Sequence, residues 1–218
     1  MPQRYDLLIF DWDGTLMDST GAIAQAIQAA CTDLGYEEPT SERARYIIGL
    51  GLRDALQWLL PDLPEARYPA LIDRYRHHFL MRDGGTDLFP GTYDAVRNLH
   101  ASGHRLAVAT GKSRKGLDRA LAATGLGPYF HGTRCADEGY SKPDPRMLFR
   151  LLEDLDVTPD RALMIGDTTH DMDMARAAGV DGLAVSFGAH ARDALIASEP
   201  VACLDCDRDL WSWLQAHA

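Results

Sequence analysis

The amino-acid sequence predicts an α/β protein in which a Rossmann-like parallel sheet is sandwiched by helices, with an all-helical domain inserted after the first strand. Two observations support this fold class. From residue 88 onward, short apolar runs alternate with helical segments of about 10–15 residues, a pattern typical of parallel strands joined by right-handed crossovers. Between residues 19 and 85, helical patterns follow one another without a strong strand signal.

The first strand is predicted at residues 5–10, where the apolar run Leu7-Leu8-Ile9-Phe10 stops at two carboxylates, Asp11 and Asp13. A continuous apolar run is typical of a strand that is buried on both faces. Buried charges without partners are unfavourable in a core. We therefore expect both carboxylates at the carboxyl edge of the sheet, where open α/β folds bind their ligands.

The rest of the core is predicted from the same alternation of strands and helices. Further strands are expected at residues 105–110, 129–133, 161–166, 182–187 and 201–204. Helices are expected at residues 92–102, 113–124 and 145–155. Further helices are expected from the end of the strand at 161–166 to residue 178, and at 191–197 and 207–216.

The insert begins with a predicted helix over residues 20–34, for which Ser19 is the candidate N-cap. A second helical piece opens at residue 40 and is broken at 47–51, and further helices are expected at 52–60 and 64–81. Asp83-Gly84-Gly85 predicts a loop. We therefore expect a core domain of residues 1–17 and 86–218 and a helical domain of residues 18–85, with hinges near Met17–Thr20 and Asp83–Thr86.

Composition restricts the partners that the protein is expected to have. The 218 residues carry a formal net charge of −10, which disfavours binding to nucleic acid and to anionic membranes. No stretch approaches the roughly 20 apolar residues of a membrane span, and the start of the chain does not read as a signal peptide. With only four cysteines, we expect reduced thiols and a cytoplasmic protein.

Polar residues end three of the strong strands. Asp11 and Asp13 follow the first strand, Thr110 ends the strand at 105–110, and Asp167 follows the strand at 161–166. Because the carboxyl ends of parallel strands share one edge of the sheet, we expect these side chains to converge. Clustered carboxylates repel one another unless a cation joins them. A hard divalent metal such as Mg²⁺, which prefers carboxylate, carbonyl and phosphate oxygens, is the expected cofactor.

Four motifs resemble those of the haloacid dehalogenase-like (HAD) phosphohydrolases. Asp11-Trp12-Asp13-Gly14-Thr15 resembles the first motif, and Thr110 after an apolar strand resembles the second. Lys142 in Ser141-Lys142-Pro143-Asp144-Pro145 resembles the third, and Gly166-Asp167 with Asp171 resembles the fourth. The motifs occur in the family's order, and the helical insert lies where the smaller class of cap domain is found. The resemblance implies a HAD-like fold and is nearest to the phosphoglycolate phosphatase-like group.

For the first and fourth motifs, the resemblance implies catalytic and metal-binding roles. Asp11 is the expected nucleophile, which forms an aspartyl-phosphate. Asp13 is the expected general acid for the leaving alcohol and then the general base for water. The Asp11 carboxylate, the Asp13 backbone carbonyl and Asp167 are the expected Mg²⁺ ligands. Asp171 is expected to orient Lys142 or a metal-bound water rather than to bind the metal directly. His170 is expected to be exposed.

Binding of the phosphoryl group is assigned to the second and third motifs. Thr110 Oγ and neighbouring backbone N–H groups, including that of Gly111, are expected to bind phosphoryl oxygens, and Lys142 is expected to neutralise charge. The Gly111-Lys112 pair departs from the family pattern, because Asn is more usual directly after the motif-two hydroxyl. Gly111 removes a side chain and Lys112 adds a cation near the phosphate site, so the departure leaves the substrate open.

The insert is expected to act as a lid over the site. Within the insert, Arg53 is a candidate contact to an anionic leaving group. It is equally expected to be a solvent-exposed arginine at the start of a helix, without contact to the substrate. The absence of lysine from residues 19–85 argues against phosphonoacetaldehyde hydrolase, whose relatives use a cap lysine, and Asp13 argues against a dehalogenase. A small cap favours a small phosphorylated metabolite as substrate.

Three functions stay open at the level of sequence. The first is a Mg²⁺-dependent phosphatase that hydrolyses a small phosphomonoester such as 2-phosphoglycolate, acting as a monomer or a homodimer. The second is a sugar-phosphate mutase, in which the phosphoryl group on Asp11 returns to a sugar instead of to water. The third is a non-catalytic interaction protein that retains the fold, which the presence of Asp11, Asp13, Thr110, Lys142 and Asp167 disfavours.

Overall fold

The protein is an α/β fold with a helical insert, as seen in a computed structural model that describes residues 4–82 and 87–218. The strands are β1 (Leu7–Phe10), β2 (Arg105–Thr110), β3 (Gly132–Cys135), β4 (Ala162–Gly166), β5 (Asp181–Val185) and β6 (Ala202–Leu204). The helices are α1 (Thr20–Asp33), α2 (Ser41–Tyr46), α3 (Leu52–Leu59), α4 (Tyr68–Arg82), α5 (Thr92–Ala101), α6 (Arg114–Thr124), α7 (Arg146–Leu155), α8 (Thr169–Ala178), α9 (Arg192–Ala197) and α10 (Asp207–His217).

The strands form one parallel sheet in the order β3-β2-β1-β4-β5-β6. Every residue of β1 is buried, because helices cover both faces of the sheet. Side chains of Leu8 and Phe10 join a core with α5, α6 and α10 on one face. Those of Leu7 and Ile9 join a second core with α7 and α8 on the opposite face. The predicted α/β fold class, with its parallel sheet between two layers of helices, is confirmed.

Helices α1 to α4 form the insert and have a hydrophobic core of their own, to which Ile23, Ile27, Leu56, Leu71 and Phe79 contribute. The division of the chain into the two predicted domains stays a prediction.

The segment that leads into the insert pairs with the segment that follows it. Met17 forms an antiparallel bridge with Leu88, and the Asp18 backbone N–H donates to the Asp87 carbonyl at 2.9 Å. The second predicted hinge and the predicted loop, at 83–86, lie outside the described residues.

The largest error in the predicted core elements concerns β3, which was expected at 129–133 and is found at Gly132–Cys135. The aromatic pair Tyr129-Phe130 favours a strand by composition, but Gly127-Pro128-Tyr129 forms a 3-10 turn instead. Tyr129 and Phe130 then pack against the core as part of a loop. Tertiary packing has therefore overridden the local preference for a strand.

The predicted helix at 64–81 also begins differently, because a 3-10 turn at Glu65–Arg67 precedes α4. Within the described part of the chain, no helix combines the length and the apolar character that a membrane span requires.

Candidate active site

The carboxyl ends of β1, β2 and β4 meet at the centre of one sheet edge. Phe10 at the end of β1 is in register with Val108 of β2 and Ile165 of β4. The Asp11 backbone N–H donates to the Ile165 carbonyl at 2.8 Å, so Asp11 continues the strand by one residue. This register places Asp11 beside the end of β4, from which Asp167 follows. The predicted convergence of strand-end polar residues is therefore present in the fold.

Lys142 lies between two of the carboxylates. Its Nζ is 2.8 Å from Asp11 Oδ1 and 2.7 Å from Asp171 Oδ1, and all three side chains are at most 1% exposed. Burial opposes the charge of the ammonium, but the carboxylates of Asp11 and Asp171 outweigh it and raise the pKa of Lys142. Lys142 therefore lies as the cation between two buried carboxylates at the centre of the site.

Asp11 combines complete burial with an incompletely satisfied carboxylate. Its Oδ1 accepts the Trp12 backbone N–H at 2.6 Å and faces Lys142, whereas its Oδ2 is buried without a hydrogen-bond partner. Burial raises the pKa of Asp11 to about 7, Lys142 opposes the rise, and Asp171 and Asp13 add to it. An atom that is buried and unpaired in this way indicates a place for a ligand.

The second acidic group, Asp167, is enclosed by backbone on two sides. Its Oδ1 accepts from Thr15 Oγ1 at 3.0 Å, and its Oδ2 accepts from the Ala189 backbone N–H at 2.7 Å. A Cβ atom at Gly14 or Gly188 would lie 2.1 or 2.2 Å from Asp167 Oδ2, so only glycine fits at either position. Burial, followed by the charges of Asp11 and Asp171, raises the pKa of Asp167 well above its usual range.

These carboxylates fit a hard divalent cation. Asp11, Asp167 and Asp171 each offer an oxygen, and the three oxygens lie within 4.8 Å of one another. Mg²⁺ prefers carboxylate oxygens, and a bound cation would relieve both the repulsion and the unpaired Asp11 Oδ2. Asp171 is a member of this cluster, and its expected role, to orient Lys142 or a metal-bound water and not to bind the metal directly, stays a prediction. Its Oδ2 already accepts from the Thr168 backbone N–H and Oγ1, at 3.1 and 2.6 Å.

Asp13 lies at the edge of the cavity, and two side chains donate to it. Ser19 Oγ donates to Asp13 Oδ1 at 2.6 Å, and Lys112 Nζ is 2.9 Å from the same oxygen. Ser19 occupies the N-cap position of α1 as predicted, but its side chain makes no capping hydrogen bond and donates to Asp13 instead. The contact of Lys112 with Asp13 was missed, although the sequence had placed a cation near this region.

The second motif lies against the insert. Thr110 is buried at the end of β2, and its Oγ1 accepts from the Lys112 backbone N–H at 3.2 Å. A Cβ atom at Gly111 would lie 2.5 Å from the carbonyl oxygens of both Gly49 and Leu50. The Gly49–Leu50 loop of the insert therefore packs directly against Gly111, and any side chain at position 111 would displace that loop.

A cavity of about 760 Å³ separates the insert from the core. Asp11, Asp13, Thr110 and Gly111 line its floor, and apolar side chains from α1 and α4 line the opposite wall. Arg53 also borders the cavity, but its guanidinium is exposed and pairs with Glu65. The position of Arg53 is compatible with a contact to a leaving group, and that role stays a prediction.

Two buried histidines join the core to the insert. The Nε2 atoms of His170 and His190 each lie 2.9 Å from the Tyr46 carbonyl oxygen of the insert. The Thr169 backbone N–H donates to His190 Nδ1 at 3.0 Å, so the proton of His190 is on Nε2. The expectation that His170 is exposed was therefore wrong. Burial lowers the pKa of both histidines, which favours the neutral ring that the two contacts of His190 require.

The chain is similar to known phosphatases along almost all of its length. A family model described as haloacid dehalogenase-like hydrolase matches residues 8–185. The probable phosphatase IndB of Dickeya dadantii is 35% identical over 205 residues, which cover 91% of this chain and 89% of that protein. The phosphoglycolate phosphatase of Aliivibrio fischeri is 31% identical over 211 residues, which cover 89% of each protein. A hydrolase structure from Pseudomonas syringae has the same fold, with a TM-score of 0.89 at 22% identity, covering 98% of this chain and 99% of that one.

Proposed function

Because the chain belongs to the haloacid dehalogenase-like hydrolase family, in the phosphoglycolate phosphatase-like group, we propose that it is a Mg²⁺-dependent phosphatase acting on small phosphomonoesters. One observation carries this proposal beyond the family. Asp11 is buried between Lys142 and Asp167 with its Oδ2 unpaired, at the floor of the cavity that also contains Asp13. The proposed nucleophile Asp11 and the acid–base group Asp13 therefore lie together at the floor of the cavity, with the cation Lys142 beside Asp11.

In the proposed reaction, an Asp11 carboxylate oxygen attacks phosphorus, and the bond from phosphorus to the leaving oxygen breaks. Asp13 donates its proton to the leaving oxygen, so that an alcohol departs. Asp13 then accepts a proton from water as the water oxygen attacks the phosphorus of the aspartyl-phosphate. Inorganic phosphate is released, and the Asp11 carboxylate and the proton on Asp13 are restored.

The remaining side chains hold the reacting groups and balance their charge. Lys142 neutralises Asp11 and the phosphoryl oxygens, and Asp171 fixes Lys142 through the 2.7 Å ion pair. Thr110 Oγ and the Gly111 backbone N–H bind phosphoryl oxygens at the end of β2.

The Asp11 and Asp167 carboxylates, with the Asp13 backbone carbonyl, would hold Mg²⁺. When bound, this cation shields the negative nucleophile from the negative phosphate.

The cavity supports a small substrate. Its volume of about 760 Å³ lies within the range typical of small-molecule sites. The relative in Aliivibrio fischeri is named a phosphoglycolate phosphatase, and 2-phosphoglycolate is accordingly the first substrate to test. All four cysteines are free, which supports a cytoplasmic location. We expect a monomer or a homodimer that binds neither nucleic acid nor membranes.

The test is release of inorganic phosphate from a panel of small phosphomonoesters, with and without Mg²⁺. We expect metal-dependent release by the wild type and almost none by Asp11→Asn, with Asp160→Asn, an exposed position on the core, as the matched control. Activity of Asp11→Asn above about 10% of wild type, a barrier change below about 1.4 kcal/mol, would exclude Asp11 as the nucleophile. Isomerised sugar phosphate without phosphate release would identify the mutase. No turnover of either kind would favour an interaction protein.

A further inference from the structure

Lys112 makes a contact with Asp13 that none of the proposed catalytic steps uses. Its Nζ lies 2.9 Å from Asp13 Oδ1, and the side chains of Lys112 and Asp13 are only 11% and 10% exposed. Ser19 Oγ donates to the same oxygen at 2.6 Å. In the described part of the chain, both side-chain donors to this carboxylate are therefore on Oδ1, which leaves Oδ2 for exchange of the proton with substrate.

The backbone and side chain of Lys112 are both held in place. Its backbone N–H donates to Thr110 Oγ1 at 3.2 Å, and its carbonyl accepts from the Ala136 N–H at 3.1 Å. Its ammonium lies 5.2 Å from the centre of the Phe79 ring, which belongs to helix α4 of the insert. A cation over an aromatic face is attracted to it, more so when water is excluded. Lys112 therefore links the insert to Asp13.

We propose that Lys112 is a positioning residue for Asp13, and that Phe79 of the insert holds the lysine in the orientation that this requires. The inference rests on the proposed phosphatase function. The proton that reaches the leaving oxygen comes from Asp13, and Lys112 takes no part in its transfer. Lys112 and Ser19 restrain Oδ1 so that Oδ2 meets the leaving oxygen, and later water, at hydrogen-bond distance. Correct placement of an acid–base group is a large part of its catalytic effect.

Dependence on the leaving group tests this assignment. An alkyl phosphate needs a proton on its leaving oxygen, whereas 4-nitrophenyl phosphate releases a stabilised anion and needs the acid much less. General acid–base catalysis is worth roughly 10²- to 10⁴-fold, so a misplaced acid loses part of that factor. For Lys112→Met we expect kcat/KM to fall about tenfold or more on the alkyl ester that the wild type hydrolyses best, and about threefold or less on 4-nitrophenyl phosphate.

Two controls separate positioning from other roles. Lys115→Met removes a cation from an exposed position at the same cavity, and we expect it to leave the ratio of the two kcat/KM values unchanged. In an Asp13→Asn background, Lys112→Met should add little further loss on the alkyl ester, because the group that it positions is already absent. If Lys112→Met does not fold, as judged by circular dichroism, Lys112→Gln is measured in the same way.

Three outcomes would overturn the proposal. Equal losses on both esters would show that Lys112 supports only the local structure. A tenfold weaker inhibition by inorganic phosphate, with the ratio of the two kcat/KM values unchanged, would make Lys112 a direct phosphate ligand. Additive losses from Lys112→Met and Asp13→Asn would show that the residues act independently. Inactivity of the wild type on every ester would instead reject the proposed function itself.

Discussion

Replacement of Lys142 by methionine tests the charge balance on which the site depends. Lys142 is the cation of a buried cluster, 2.8 Å from Asp11 and 2.7 Å from Asp171. Methionine has similar length and removes only the charge and the donors. Without Lys142, the carboxylates of Asp11, Asp167 and Asp171, whose ligand oxygens lie within 4.8 Å of one another, would lack their nearest cation in the absence of metal.

The expected loss of stability follows from the burial of this cluster. Removal of one partner from a buried ion pair destabilises a protein by about 3–5 kcal/mol. Typical domains have only about 5–15 kcal/mol of unfolding free energy, so Lys142→Met should lose a large part of its stability in chelator. Mg²⁺ should return part of this loss, because a ligand at 100 times its dissociation constant stabilises the folded state by about 2.7 kcal/mol.

The measurement is urea unfolding of wild type and Lys142→Met at pH 8, once with chelator and once with Mg²⁺. This pH lies above the pKa of about 7 to which burial raises Asp11 in the wild type, and removal of Lys142, which lowers that pKa, should raise it further. Lys115→Met, an exposed position, is the matched control, and its unfolding free energy should change by about 0.5 kcal/mol or less. The double variant Lys142→Met/Asp171→Asn, which removes one negative charge, should be more stable than Lys142→Met alone.

Two results would refute this reasoning. A loss below about 1 kcal/mol for Lys142→Met in chelator would mean that the buried ion pairs do not set the stability of the site, since removal of one partner should cost several times more. A double variant no more stable than Lys142→Met would show that the loss comes from packing and not from uncompensated charge.

Two further predictions concern the insert loop and the acid–base state of the site. Gly111→Ala places a Cβ atom 2.5 Å from the Gly49 and Leu50 carbonyl oxygens, so we expect the loop of Gly49 and Leu50 to move and kcat/KM to fall about tenfold. In the control Gly116→Ala, the atom nearest to the new Cβ is 3.3 Å away, and we expect kcat/KM to change little. Equal activity of both variants would contradict the close approach of this loop to Gly111. In chelator, burial holds the pKa of Asp11 near 7 against its usual 3.8, so the folded state binds a proton that the unfolded state releases. The unfolding free energy of wild type, measured relative to Asp11→Asn, should therefore decrease as pH rises from about 4 to about 7, and a flat or rising difference would be evidence against this shift.

Much of the core could be predicted from the sequence because its signals are local. Four apolar residues, Leu7 to Phe10, predicted a buried strand, and a strand boundary next to Asp11 predicted a carboxylate at the sheet edge. The alternation after residue 88 predicted parallel pairing, because parallel strands require helical crossovers. Prediction failed at β3, where Tyr129 and Phe130 favour a strand by composition but pack as a loop.

The candidate site, like the core, was predicted from the sequence only in part. Its acidic residues and Lys142 were found from their positions at strand ends and in motifs. The contact between Lys112 and Asp13, the turn of Ser19 toward Asp13, and the burial of His170 were not found. The contacts of Ser19 and His170 depend on how the insert packs against the core, and that of Lys112 depends on how the loops after β1 and β2 meet. Neither periodicity nor spacing along the chain carries that information.

By itself, the sequence determined the α/β fold class, the helical insert and the residue types that gather at one edge of the sheet, because strand periodicity and chain order set all three. Only the tertiary structure decided which atoms meet. Lys112, which follows β2, contacts Asp13, which follows β1. The carbonyls of Gly49 and Leu50 pack against Gly111, and the Tyr46 carbonyl oxygen contacts the Nε2 atoms of two core histidines. These contacts join residues distant in the chain, and their free energies depend on burial and on separations of about 3 Å, which only packing of the whole molecule fixes.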